Sequence, residues 1–297
     1  MTRAARPRRL FLALLIALAG VAVAAFFMMR GREGSGAIAV LRTADFHALA
    51  FSPDDPDVVF FGHHNGIMRS EDGGRTWRPL VQRQNSDAMG LAVSHASPRQ
   101  IFLAGHNVFQ VSQDGGASWQ PLAHDLPGTD IHGFAMSPDD SNHLYAFVVG
   151  WGLFRSPDGG RAWARLSDRL PNDVTALAAA GGHPETLYAG SIRAGGLRST
   201  DGGRTWAPVT SLPSPTVPTL AVDPAPHRTV YAGTAGGVYK STDGGETWSQ
   251  LPYPDENVIA LAVSPSRPNV VLAITVKDGQ GLIYRSEDGG QSWGKRR

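Results

Sequence analysis

The residues best suited to chemistry are ten histidines, two of which stand in near-identical surroundings. The stretches ADFHALAFSPDD (44–55) and TDIHGFAMSPDD (129–140) each carry an Asp two residues before a His. In an extended strand, residues i and i+2 point the same way. Asp45 with His47, and Asp130 with His132, would therefore present a carboxylate and an imidazole together. His63, His64 and Asn65 follow one apolar run, and His106 and Asn107 follow another in the same relative place. Imidazoles and carboxylates gathered from separate strands suit a borderline divalent ion such as zinc or copper. Under that reading His47, His63, His106 and His132 are the expected ligands. The alternative is that these side chains satisfy backbone groups or water at a polar, partly buried rim. No sequence-local metal spacing of the HExxH kind is present.

The elements that must position these residues are organised by one eight-residue phrase. It occurs as SEDGGRTW from Ser70, SQDGGASW from Ser112, SPDGGRAW from Ser156, STDGGRTW from Ser199, STDGGETW from Ser241 and SEDGGQSW from Ser286. The intervals are 42, 44, 43, 42 and 45 residues, which is the mark of a repeat architecture. In each copy, Ser and Asp oxygens flank a turn and accept from nearby backbone N–H groups. Gly-Gly then supplies the positive φ that a two-strand reversal needs. The Trp that follows is expected on the outgoing strand, burying a large area. Asp72, Asp114, Asp158, Asp201, Asp243 and Asp288 are accordingly read as structural.

The pattern Ser-x-Asp-x-Gly-x-x-Trp resembles the Asp-box, or BNR repeat, of sialidases, xyloglucanase-type glycoside hydrolases, the sortilin ectodomain and photosystem II assembly factors. All are β-propellers, so the resemblance implies that fold; it implies no single activity, because the boxes serve such different functions. The units agree. One reads TLAVDP, TVYAGT, GVYKST, the DGG turn and TWSQL, which is four short antiparallel strands. Roughly 260 residues at about 43 per unit make six blades over 38–297. The expectation is an all-β, single six-bladed propeller of four-stranded antiparallel blades, preceded by one N-terminal transmembrane helix. Residues 38–42 are expected to complete the last blade, since only four residues follow Trp293.

In propellers the first strand of each blade lines the channel, and ligands commonly meet the face bearing the loops between strands two and three. That rule puts His47, His63, His64, His106, His124 and His132 at the ligand face, all in blades one to three. His95, His143, His183 and His227 fall at the opposite face. Trp151 in FVVGWGLFRS lies outside every box, in the same kind of loop. It either stacks on a sugar or a partner side chain, or covers its own blade.

Composition narrows the function further. With no Cys, thiol catalysis, disulfides and a lipoprotein attachment site are excluded. The net charge of +1 makes no electrostatic case for nucleic-acid binding. Arg3, Arg6, Arg8 and Arg9 precede Leu10 to Met29, 20 apolar residues. As a helix these would span roughly 30 Å, a bilayer core. Residues 1–9 are then cytoplasmic, 10–29 a signal-anchor and 30–37 a linker, with the propeller on the extracytoplasmic side. Cleavage near Ala22-Val23-Ala24, giving a secreted domain, is the alternative.

Two functions remain in view. The first is a monomeric binding or assembly module that takes an envelope protein, a glycan or a metal at the channel mouth. The second is a glycoside hydrolase of the sialidase or BNR class. The resemblance to sialidases would require an Arg-Ile-Pro motif, which is missing, and a tyrosine nucleophile. Tyr253, in YPDEN with Asp255 and Glu256, is the candidate, and an exposed turn is its expected setting. A xyloglucanase-like acid pair would draw on Asp45, Asp130, Asp173 and Asp255.

Overall fold

The computed structural model describes residues 36–43, 45–82, 87–224 and 228–294. Within them the chain forms six four-stranded antiparallel sheets arranged as a six-bladed propeller. No helix occurs among the described residues, and none there is long and apolar enough to cross a membrane. The expected cytoplasmic segment, signal-anchor and most of the linker lie outside the described residues.

Burial is deepest one strand out from the axis and falls away at the outer edge of each blade. The second strand of each blade is sandwiched between neighbouring blades and so reads as an unbroken apolar run. Val59–His63 and Leu144–Val148 are buried at every position. The outer strands, such as Ala164–Ser167, are largely exposed. Around the channel, the inner strands contribute Leu49, Leu91, Phe134, Leu177, Leu220 and Leu261, one from each blade.

Each box works through the same bonds, except that Ala162 leaves the third without the hydroxyl bond to its Asp. In the first, Ser70 Oγ donates to Asp72 Oδ1 (2.8 Å) and accepts from the Gly74 N–H (2.8 Å), while Thr76 Oγ1 donates to Asp72 Oδ2 (2.6 Å). The indole of Trp77 donates to the Gly74 carbonyl at 2.9 Å. Gly73 and Gly74 hold φ of +75° and +93°, a conformation that side chains with a Cβ resist. Trp77 ends the turn one residue before the outer strand Arg78–Gln82, instead of lying on the strand as the sequence suggested.

Neighbouring blades are stitched by buried phenols. Tyr145 donates to Glu185 Oε2 (2.6 Å), Tyr188 to the Gly244 carbonyl (2.9 Å) and Tyr231 to the Gly289 carbonyl (3.3 Å). The ring closes twice over. Ala39–Leu41 pairs with Gln280–Ser286 as the outer strand of blade six, in the register Ala39 to Ile283 and Leu41 to Gly281. The buried Arg285 of blade six reaches Asp57 Oδ1 at 3.0 Å and donates to the Pro56 carbonyl at 2.9 Å, both before the second strand of blade one.

Candidate functional site

At the mouth of blades one to three the chain gathers four imidazoles and two carboxylates. Its centre is Asp87, at the start of the inner strand of blade two (Asp87–Val93), with only 6% of its side chain exposed. His106 Nδ1 donates to Asp87 Oδ2 at 2.7 Å. His64 Nδ1 lies 3.3 Å from the same oxygen, and His47 Nε2 lies 2.8 Å from Oδ1. The His47 contact is close but poorly aligned for a hydrogen bond, and neither atom has a better-aligned partner among the described residues. On its other side, His106 Nε2 lies 2.7 Å from His132 Nε2 and 3.2 Å from Asp130 Oδ1. His132 Nε2 is also 3.2 Å from Asp130 Oδ1.

Backbone irregularities bring these groups together. The inner strand of blade three (Ile131–Met136) carries one extra residue between Ile131 and Gly133, and that residue is His132. A bulge at a rim bends the strand and re-aims a side chain. A similar shift between Asp87 and Gly90 sets Asp87 opposite His106. Asn107 takes φ of +55°, and its N–H donates to the Thr129 carbonyl at 2.9 Å. His106 thereby bridges to Asp130 across the blade boundary.

Burial sets the protonation of the imidazoles. Desolvation pushes His47 below its ordinary value, against the opposing pull of Asp87 and then Asp45. Burial does the same to His132, against Asp130, and to His63, where the charges of His47 and His64 act in the same direction. These three rings are therefore neutral at pH 7, the form in which imidazole binds a metal.

The six histidines expected at this face divide. His47, His64 and His106 converge on Asp87, and His106 and His132 on Asp130. His63 is buried in blade one, its ring stacked 5.7 Å from Phe61 and its Nδ1 accepting from the Asn65 N–H. His124 accepts from the Leu126 N–H and sits edge-on to Phe109. Asp45 is exposed and acts on His47 through its charge. The donor atoms of His106, Asp130 and His132 all lie within 4.8 Å of one another, the one such metal-competent group among the described residues. Trp151 is 50% exposed beside this group. The Val149 N–H, two residues earlier, donates to the Asp130 carbonyl, and a Cβ on Gly128 would lie 3.8 Å from the indole nitrogen.

Asp87 is the residue that sequence reasoning missed, although a signal existed. In SDAMGLAV it holds the place that Asp45 holds in ADFHALAF and Asp130 in TDIHGFAM. Two residues on stands Met89 in place of His, so no carboxylate–imidazole pair drew attention to it. Tyr253 also differs from expectation. It is half-buried, its hydroxyl 2.8 Å from Thr275 Oγ1 and its ring edge-on to Trp293 at 4.9 Å. Burial raises its pKa well above the ordinary value. Of the other carboxylates considered for acid catalysis, Asp173 accepts from Ser191 (2.7 Å) and Asp255 from Tyr284 (3.2 Å).

The profile of the Sortilin-Vps10 family, described as sortilin, neurotensin receptor 3, matches residues 196–297, about a third of the chain. No curated protein matches it in sequence. Among solved structures, the GH74 enzyme of Niastella koreensis is similar with a TM-score of 0.62 at 18% identity, over 87% of this chain and 46% of that one. The GH74 xyloglucanase of Xanthomonas campestris gives 0.57 at 17% identity, over 86% of this chain and 53% of that one. YCF48 bound to D1 peptide gives 0.55 at 18% identity, over 89% of this chain and 84% of that one. The chain thus spans about half the length of these GH74 enzymes and most of the length of YCF48. At these identities the likeness concerns the fold, and the fold is the Asp-box β-propeller.

Proposed function

We propose that this propeller is a binding or assembly module, held to the membrane by residues 10–29 on the extracytoplasmic side, which captures a polypeptide segment at the mouth of blades one to three. The observation that carries this reading is the convergence of His47, His64, His106 and His132 with Asp87 and Asp130 beside the half-exposed Trp151. Polar groups fixed at a rim with an exposed aromatic at their edge are what a specific binding surface needs. The complex of YCF48 with a D1 peptide, on a propeller of similar extent, supports a polypeptide as the ligand class.

Hydrolysis is the second reading, favoured by the likeness to GH74 enzymes. Against it, the turns between strands two and three are short, as at Asn107 and at Ala235 and Gly236. A tyrosine nucleophile needs a lowered pKa, whereas Tyr253 is raised and its hydroxyl is engaged with Thr275.

The test pairs cross-linking of the chain to envelope polypeptides with sugar release from xyloglucan and sialosides. A defined cross-linked polypeptide that is lost in His132→Ala and Trp151→Ala variants supports the module. Release of reducing sugar or sialic acid, with no polypeptide cross-linked, overturns it in favour of the enzyme.

A further inference from the structure

The clamp on His106 decides which of its nitrogens is free. Asp87 as a carboxylate can only accept, so the 2.7 Å contact places the ring proton on His106 Nδ1 and leaves a lone pair on Nε2. That lone pair points into a triangle of donor atoms. Its edges are 2.7 Å (His106 Nε2 to His132 Nε2), 3.2 Å (His106 Nε2 to Asp130 Oδ1) and 3.2 Å (His132 Nε2 to Asp130 Oδ1). Ligand atoms bound to one tetrahedral zinc at about 2.0–2.1 Å stand roughly 3.3–3.4 Å apart. The triangle is a slightly contracted face of such a site.

A second observation points the same way. Asp130 Oδ1 is buried and lies within 3.2 Å of both ring nitrogens, and no well-aligned donor reaches it among the described residues. Buried carboxylate oxygens are normally satisfied by a donor, water or a cation. The arrangement is also supported from behind. A carboxylate that fixes the tautomer of a ligating histidine is the usual outer partner of a metal site, and Asp87 has that relation to His106. His47 and His64 pack round Asp87 in turn. The side chains of His106 and Asp130 are 41% and 50% exposed, so one side of the triangle is open to the mouth.

We propose that His106, Asp130 and His132 bind one divalent transition-metal ion, zinc by the donor set, with Asp87 as the positioning residue behind His106. The open coordination position takes water, or a carboxylate or imidazole of the captured polypeptide. That last step rests on the module reading. Without metal, His132 Nε2–H donates to His106 Nε2, so zinc binding shifts the His132 proton to Nδ1.

The experiment is zinc titration of the untagged chain of residues 1–297 by chelator competition, followed by cobalt substitution. The expected result is one zinc per chain and the intense visible bands of four-coordinate cobalt. His132→Ala and Asp130→Asn remove ligands and are expected to lower zinc affinity at least about 100-fold. Asp87→Asn is expected to lower it about 10–100-fold while the cobalt bands persist. His124→Ala, on the same face, should leave it unchanged. Absence of stoichiometric zinc, or zinc binding unchanged in both ligand variants, overturns the proposal. The cobalt spectrum of the unsubstituted chain stands apart from any folding defect in a variant. A chain that ignores zinc but still loses its polypeptide on Trp151→Ala overturns the metal site alone. A chain that binds zinc but captures no polypeptide overturns the module reading and leaves the metal site in place.

Discussion

Replacing Gly105 by alanine should dismantle the rim from a position with no chemistry of its own. Gly105 lies in the second strand of blade two, next to His106 and opposite the bulge that carries Asp87. A Cβ there would stand 1.7 Å from the Asp87 carbonyl oxygen and 2.9 Å from the Met89 nitrogen. Both are backbone atoms, so no side-chain rotation relieves the clash. To reach even 3.0 Å, the bulge must withdraw by at least 1.3 Å. Ligand constellations tolerate displacements of only about 0.5 Å. The 2.7 Å bond between His106 and Asp87 would be broken by the move, freeing the His106 ring from its tautomer. Overpacking of this kind costs about 1–3 kcal/mol. The matched control is Gly128→Ala, where the nearest atom is Val148 Cγ1 at 3.7 Å, an ordinary contact. A control change of that kind is expected within about 0.5 kcal/mol of the parent. Chemical denaturation gives the stability difference, and nitrogen shifts of the histidine rings report the His106–Asp87 bond. A Gly105→Ala protein with parental stability and an unchanged His106 ring would refute the reasoning.

Further outcomes follow from closure and from the boxes. Leu41, 5% exposed, packs from the closing strand into the core shared by blades six and one. Leu41→Ala should cost about 2–5 kcal/mol, read as a fall in denaturant midpoint; a loss below about 0.5 kcal/mol would mean that the closing strand carries little of the ring's stability. Asp114 is held down to about 2 by the Ser118 hydroxyl, then by the Ser118 N–H and Ser112. Its stabilisation is complete above its unfolded value near 4 and is lost as pH falls through about 2. An Asp114→Asn protein should therefore lose stability at pH 6 and differ less from the parent at pH 2; an equal difference at both pH values would contradict this. Burial, and then the charge of Asp255, raise Tyr284 to about 12. A raised phenol stabilises the fold below its unfolded value near 10, and that stability is lost as pH rises towards 12. Ultraviolet titration should show Tyr284 silent at pH 11, and its ionisation near pH 10 in the folded protein would show the assigned environment to be wrong.

The repeat was legible because each box is a local device. Ser70, Asp72, Gly74 and Trp77 satisfy one another within eight residues, so spacing alone announces the hairpin and six hairpins announce the ring. The strand Ala39–Leu41 was also readable, since a ring whose last blade lacks an outer strand must borrow one from the other end. The candidate site was legible only in part. His47, His64, His106, His132 and Asp130 stood out by type and repeated context, but Asp87 did not, and His63 turns into its own blade. That Asp87 and His106, 19 residues apart, share a bond, and that His106 meets His132 from the next blade, follows from bulges and from the packing of one sheet on the next. By itself the sequence determined the hairpins, their number and the closure, because those rest on contacts within a few residues or on counting. Which imidazoles meet which carboxylates was decided by tertiary structure, because side-chain direction at a bulge depends on the neighbouring blade and no local pattern encodes it.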